Sequence, residues 1–290
     1  MQIKTATTID EQIAKLEKRG MTIGDKVKAT EILSDIGYYR LGFYWFPFEL
    51  NYPNKHHRDH RFIEGATFEN AVALYNFDHN LRCILSQYLH HIEVHLRTTL
   101  IYIVSNHYKY NPTWFADQKI IQPSFIAKLP GLYEDIRKND AIKHHHKKYH
   151  NDIYAPAWKT IEYMTFGSVL YLIENIKDKN LQERIAIKMG IKNLNVFYSH
   201  MQTLRILRNI CAHGHNLFDL HLPKPIKPGQ INNMTSNDRS SISGAIMVIS
   251  NTLHNITPNL ANNLVEDLNN LLNHTKTTPI YAVISHIKKL

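Results

Sequence analysis

Two cysteines in 290 residues, Cys83 and Cys211, are too few and too isolated for a disulfide framework, and with no Cys-x-x-Cys pair a thiolate zinc site has no support. No run of about 18 apolar residues is present, so no membrane-spanning helix is expected. The stretch Met1 to Asp10 lacks the apolar core of a signal peptide, and the expectation is a cytoplasmic protein. The chain also lacks a Gly-x-x-x-x-Gly-Lys phosphate loop, a Gly-x-Gly-x-x-Gly turn and a Gly-x-Ser-x-Gly elbow. Nucleotide hydrolysis, dinucleotide chemistry and serine-hydrolase chemistry therefore have no support. A clustered Asp/Glu set for two-metal catalysis is missing as well. His91 and His95 share a helix face, but Glu93 stands at the wrong offset for His-Glu-x-x-His. Neither a metal nor a cofactor is expected.

Positive charge and helical periodicity are what the chain does have. Lys and Arg number 34 against 25 acidic residues, a formal charge of +9 before its 19 histidines are counted. That field favours a polyanion, and with no spanning segment the better partner is nucleic acid rather than a membrane. The apolar spacing is helical nearly throughout, which predicts an all-α fold. Helices are expected from Thr8 or Asp10 to Gly20, from Asp25 to Ile36, and over a long spine from Thr67 to about Asn106. Others follow at Ser124 to Asn139, Trp158 to Ile176, Leu181 to Met189, and from Asn193 or Asn195 through the segment ending at Gly214. The last are Ser240 to Asn255, Leu260 to His274 and Ile280 to Leu290, with Asp219 to Gly229 as a proline-rich loop. We read residues 1–290 as one all-helical domain: a helical and aromatic extension over 1–66, a core over 67–218 and C-terminal helices over 219–290.

Seven aromatics between Gly37 and Phe48 read as core, with base stacking by Tyr and Arg as the alternative. The loop Asn54 to Arg61 and the segment Lys143 to Lys148 are cationic, either solvated or facing RNA. On the spine, Asp78, Arg82, Glu93 and Arg97 fall within a stripe about 100° wide and form two i, i+4 pairs. They are either ordinary intrahelical ion pairs or charges that brace a polar cleft.

The segment Leu204-Arg205-Ile206-Leu207-Arg208-Asn209-Ile210-Cys211-Ala212-His213 sets an arginine, an amide and a histidine at a helix end. An RNA 2'-hydroxyl can attack its own neighbouring phosphate if one group handles the proton and another stabilises charge on the phosphoryl oxygens. Imidazole, titrating near pH 6.5, suits the first role and the guanidinium fork suits the second. His213 and Arg208 are thus the expected catalytic residues, with Asn209 orienting the histidine or holding phosphate and Arg205 as a supporting phosphate contact. The bland alternative is a solvated helix end with a cation that its dipole favours. Five residues apart, Arg208 and His213 differ by about 140° on an ideal helix. Either the helix ends before His213, or the two groups are combined across chains.

In these residues the chain resembles the abortive-infection proteins of the AbiD/AbiF type, of the HEPN superfamily. The resemblance rests on Ile36-Gly37-Tyr38-Tyr39-Arg40-Leu41, Thr67-Phe68-Glu69, Leu74-Tyr75-Asn76-Phe77-Asp78 with Leu81-Arg82, Glu93 with Arg97, Thr165-Phe166-Gly167, and Leu207 to His213. The superfamily's signature is an arginine followed, after four to six intervening residues, by a histidine; here four residues separate Arg208 from His213. The resemblance implies a HEPN-like helical bundle with additional N- and C-terminal helices. It also implies a homodimer with Arg and His in a cleft at its two-fold interface, and a metal-independent endoribonuclease cutting single-stranded RNA to a 2',3'-cyclic phosphate and a 5'-hydroxyl. An antiviral or toxin-like role follows, with a small noncoding RNA as a possible regulator, and Asp78, Arg82, Glu93, Arg97 and Arg40 as RNA-binding or supporting residues. Many relatives carry a basic residue shortly after the histidine, where this chain has Asn216 before Leu217-Phe218. The rival reading is a non-catalytic RNA-binding protein that holds a structured small RNA.

Overall fold

Helix starts and stops follow local side-chain chemistry in the computed structural model, which describes residues 5–56 and 58–287. Thr8 opens α1 (Ile9–Lys18): its hydroxyl accepts the Glu11 amide while the Glu11 carboxylate accepts the Thr8 amide. That reciprocal box satisfies two amide donors that helix geometry leaves without partners. Asp25 caps α2 (Lys26–Ile36), and Gly37 stops it at φ +87°, a conformation that side chains rarely adopt. The aromatic block continues as α3 (Tyr38–Trp45) and the turn Phe46–Phe48. Tyr44, Trp45, Phe46 and Phe48 are buried, whereas Tyr39 and Phe43 are exposed. The long spine is α4 (Phe68–His107), within a residue of its expected ends.

Two expected helices are each broken in two. Ser124 to Asn139 is α5 (Pro123–Ile126) followed by α6 (Leu129–Ile136). Pro130 has no N–H to give, and its ring excludes the carbonyl four residues back, so it is tolerated only in the first turn of a new helix. Trp158 to Ile176 is α8 (Ala157–Thr160) and α9 (Phe166–Glu174), with α7 (Asp140–Lys148) preceding them. Met164 between them is extended, and the Thr165 hydroxyl accepts the Ser168 amide, so this threonine caps α9 instead of continuing α8. Then come α10 (Lys179–Lys188), α11 (Leu194–His213), α12 (Ile242–Ile256) and α13 (Pro258–Thr275). The last expected helix, Ile280 to Leu290, is a single turn, α14 (Tyr281–Ile284), and its final three residues lie outside the described ones. The described residues contain fourteen α-helices and no strand, as an all-α protein requires. No helix among them is long and apolar enough to cross a membrane.

The described chain divides into two compact units, one of residues 5–83, 214–218 and 267–287, the other of residues 84–213 and 219–266. In the first, α2 packs on α1 and α3, and Leu33, Leu41, Tyr44, Leu74, Phe77, Leu81, Leu217 and Phe218 are buried. In the second, α11 packs against α9, α10 and α12. Phe197, Met201, Leu204 and Leu207 are spaced by four, three and three residues and are fully buried. Burial of four such side chains, at about 1.5–3 kcal/mol each, fixes the rotation of α11 far more firmly than any surface ion pair does. Which side chains of α11 face outward is therefore set by its apolar stripe.

Candidate active site

Helix α11 runs unbroken through His213 and stops at Gly214, whose φ of +66° turns the chain out of the helix. The first of the two expected resolutions, a helix ending before His213, is thereby removed. Arg208 and His213 sit on one continuous helix, about 140° apart. Arg208 lies toward the buried stripe: its Nε donates to Glu93 Oε2 at 3.2 Å, and its side chain is 40% exposed. His213 is exposed, and Asn209 and Arg205 are half-buried.

Glu93 is the hub of this arrangement. Its side chain is 4% exposed; Oε1 accepts Arg97 Nη2 at 2.5 Å and Oε2 accepts Arg208. Arg97 Nη2 also donates to the Met164 carbonyl at 2.9 Å, and Arg97 Nε is buried without a partner. The carboxylate thus anchors two guanidinium groups, and the Nε bond leaves the Nη edge of Arg208 without a further hydrogen bond among the described residues. A guanidinium held by Nε with its Nη edge open is preorganised for phosphate oxygens. Arg205 donates through Nε to Gln202 Oε1 at 2.8 Å, and its stem runs over Gly167 of the Thr165-Phe166-Gly167 motif.

A second cluster grips the chain just beyond His213. Asp78 is fully buried, and its Oδ1 accepts the amides of Leu217 and Phe218, both at 2.8 Å. Its Oδ2 accepts the Tyr44 hydroxyl at 2.9 Å and also Arg82 Nη1, which in turn donates to Tyr44 Oη at 3.1 Å and to the His215 carbonyl at 3.2 Å. Burial, and then the Asp78 charge, pushes the Tyr44 phenol well above its ordinary range, so it stays a neutral donor. Burial likewise raises the Asp78 carboxyl, against the pull of Arg82 and the two amides. Arg40 donates to the Gly214 carbonyl at 2.9 Å. The structure therefore gathers the expected residues into two groups, Glu93, Arg97 and Arg208 in one and Asp78, Arg82 and Arg40 in the other.

The other cationic features are largely committed. In the loop after α3, Arg58 pairs with buried Glu49 at 2.5 Å and lies over the Phe46 ring, and Arg61 pairs with Asp59; His57 lies outside the described residues. In α7, His145 is buried against Asp152 at 3.0 Å and His146 meets the Tyr133 hydroxyl at 2.8 Å. Among the described residues no three His, Cys, Asp or Glu side chains converge as metal ligands would.

Sequence reasoning missed the tie from Arg208 to Glu93, 115 residues away, although both residues stood among the candidates. It also passed over Gln202, Lys224 and Lys227, which together with Arg205 line a groove along α11. The Pro-Lys-Pro-Ile-Lys run was a usable signal, since alternating prolines hold lysines on a stiff segment.

Fold and site together define an all-α protein in which the apolar-anchored helix α11 carries an arginine and a histidine in its last two turns. The sequence model of the Abi-like protein family matches residues 31–219, from α2 to just beyond the His213 turn. The chain belongs to that family. Neither the curated proteins nor the solved structures compared with it give a match.

Proposed function

We propose that this protein is a metal-independent endoribonuclease of the HEPN type that cleaves single-stranded RNA, acting in abortive infection. Family membership points to the abortive-infection role. The observation that carries the chemistry is the end of α11: Arg208 is fixed by Nε to a buried carboxylate with its Nη edge open, and exposed His213 follows on the same helix. In the reaction His213 transfers the proton between the 2'-hydroxyl and the leaving 5'-oxygen, and Arg208 stabilises the charge on the pentavalent phosphorus centre. The phosphorus–5'-oxygen bond breaks as the phosphorus–2'-oxygen bond forms, leaving a cyclic phosphate and a 5'-hydroxyl. Asn209, one residue from Arg208, orients the imidazole or holds a phosphoryl oxygen. Glu93 and Arg97 position Arg208, and Asp78, Arg82 and Arg40 position the segment that leaves His213.

The 140° between the two groups supports a homodimer, because a two-fold axis beside α11 brings both copies of each residue into one groove. The test is incubation of labelled cellular RNA with the wild-type protein in EDTA, beside Arg208→Ala and His213→Ala, with the new ends mapped. The expected result is cleavage in EDTA that each substitution lowers by about 10²–10³. Cleavage that EDTA abolishes, or that survives both substitutions, rejects the mechanism; RNA bound but never cut favours the reading of a protein that only holds a small RNA.

A further inference from the structure

A groove of about 580 Å³ lies along α11. Gln202, Arg205 and Ile206 line one side, and Lys224 and Lys227 of the 223–227 segment line the other. That segment is pinned at several points. The Lys227 amide donates to Ser199 Oγ at 2.9 Å, and its carbonyl accepts His200 Nε2 at 2.8 Å. Ile226 is fully buried; its amide donates to the Arg239 carbonyl at 2.7 Å, and its own carbonyl accepts Arg239 Nε at 2.8 Å. Pro223, Pro225 and Pro228 fix φ on either side of these anchors. Two exposed lysines are thus carried on a stiff rim.

The opposite wall is equally ordered. Gln202 accepts Arg205 Nε and donates to Glu174 Oε1 at 3.3 Å, so its amide is oriented and the groove's carboxylate already has a partner. The direction of the groove follows from the helix. Gln202, Ile206, Asn209 and His213 are spaced by four, three and four residues, which places them within about 60° of one another at 100° per residue. The face of α11 that lines the groove is therefore the face that carries His213.

We propose that this groove holds the nucleotides of single-stranded RNA that flank the cleaved bond, with Lys224 and Lys227 on backbone phosphates and Gln202, Arg205 and Ile206 against bases and sugars. Three cations against one partnered carboxylate match a polyanion, and a cationic rim facing a mixed polar and apolar wall suits one strand with its bases turned inward. The inference rests on the endoribonuclease reading of the same helix.

The test is binding of a labelled single-stranded RNA in EDTA by the full-length His213→Ala protein, with and without Lys224→Ala/Lys227→Ala. Lys15→Ala/Lys18→Ala removes the same charge from exposed positions on α1. The groove pair is expected to weaken binding about tenfold and to reduce the slope of log K against log salt by about 1.4, two single-strand phosphate contacts, while the α1 pair does neither. Equal losses from both pairs, or no loss from the groove pair, overturn the proposal. In the His213-intact protein the groove pair should raise KM and spare kcat. RNA cleavage that the groove pair leaves unchanged in KM removes the groove but keeps the nuclease. Groove-dependent binding without any cleavage does the reverse, and a wild-type protein that binds no RNA removes both.

Discussion

Glu93 shows what a single side chain contributes that its neighbours in sequence do not disclose. The i, i+4 spacing of Glu93 and Arg97 is readable from the chain, and so is that of Asp78 and Arg82; both pairs form. What spacing cannot reveal is the third partner, because Arg208 reaches Glu93 only through the packing of α11, and the amides of Leu217 and Phe218 reach Asp78 only through the turn after His213. These are long-range consequences of core packing, which periodicity does not encode. Removing a buried ion whose partners stay behind is costly, so Glu93→Ala should lose about 3–5 kcal/mol of stability by urea unfolding, with Arg97 left 12% exposed and uncompensated. Arg205→Ala, on a half-buried residue bonded to a neutral amide, should lose less than about 1 kcal/mol. Equal losses at the two positions would show that Glu93 is not the hub. A histidine supplies a pH signature. Burial lowers the pKa of His200, whose Nδ1 has no partner, so on acidification the unfolded chain takes up a proton that the folded chain resists. The stability His200 contributes is fully present above about pH 6.5 and declines as pH falls below it toward the lowered folded value. The melting temperature should accordingly drop between pH 7 and pH 5.5, and His200→Gln should flatten that drop.

At the scale of elements, helix ends were legible wherever one residue type decides them. Asp25, Gly37 and Gly214 stand at the helix ends that the sequence predicts, and Thr8 is the one of the two starts offered for α1 that the structure uses, since a capping oxygen or a positive φ is a local requirement. The breaks at Pro130 and Thr165 escaped because the apolar periodicity continues across them, and periodicity alone does not register a missing N–H or a threonine that caps rather than continues. The Gly214 turn is the most consequential of these ends, since it directs the chain away immediately after His213. A Cβ there would meet Arg40 Nη1 at 3.1 Å and would have to adopt φ +66°. Gly214→Ala should therefore cost about 1–2 kcal/mol and, by shifting the last turn of α11, reduce cleavage more than it reduces RNA binding. A variant as stable and active as wild type would show that the turn does not set the position of His213.

For the whole molecule, the unbroken path of α11 through His213 has a quantitative consequence. If Arg208 of one chain works with His213 of another across a two-fold axis, two defective chains can complement each other. A dimer pairing Arg208→Ala with His213→Ala contains one site with both groups intact and one with neither. Random mixing makes about half of all dimers mixed, each with one working site of two, so the refolded mixture should recover about a quarter of wild-type cleavage. Either variant alone should stay near the floor set by loss of its own group. If instead the two groups act within one chain, each mixed dimer keeps two half-sites and the mixture stays as inactive as its components. Sedimentation of the same samples supplies the control: with dimers present, a recovered quarter places the site between chains, and an inactive mixture of dimers places it within one.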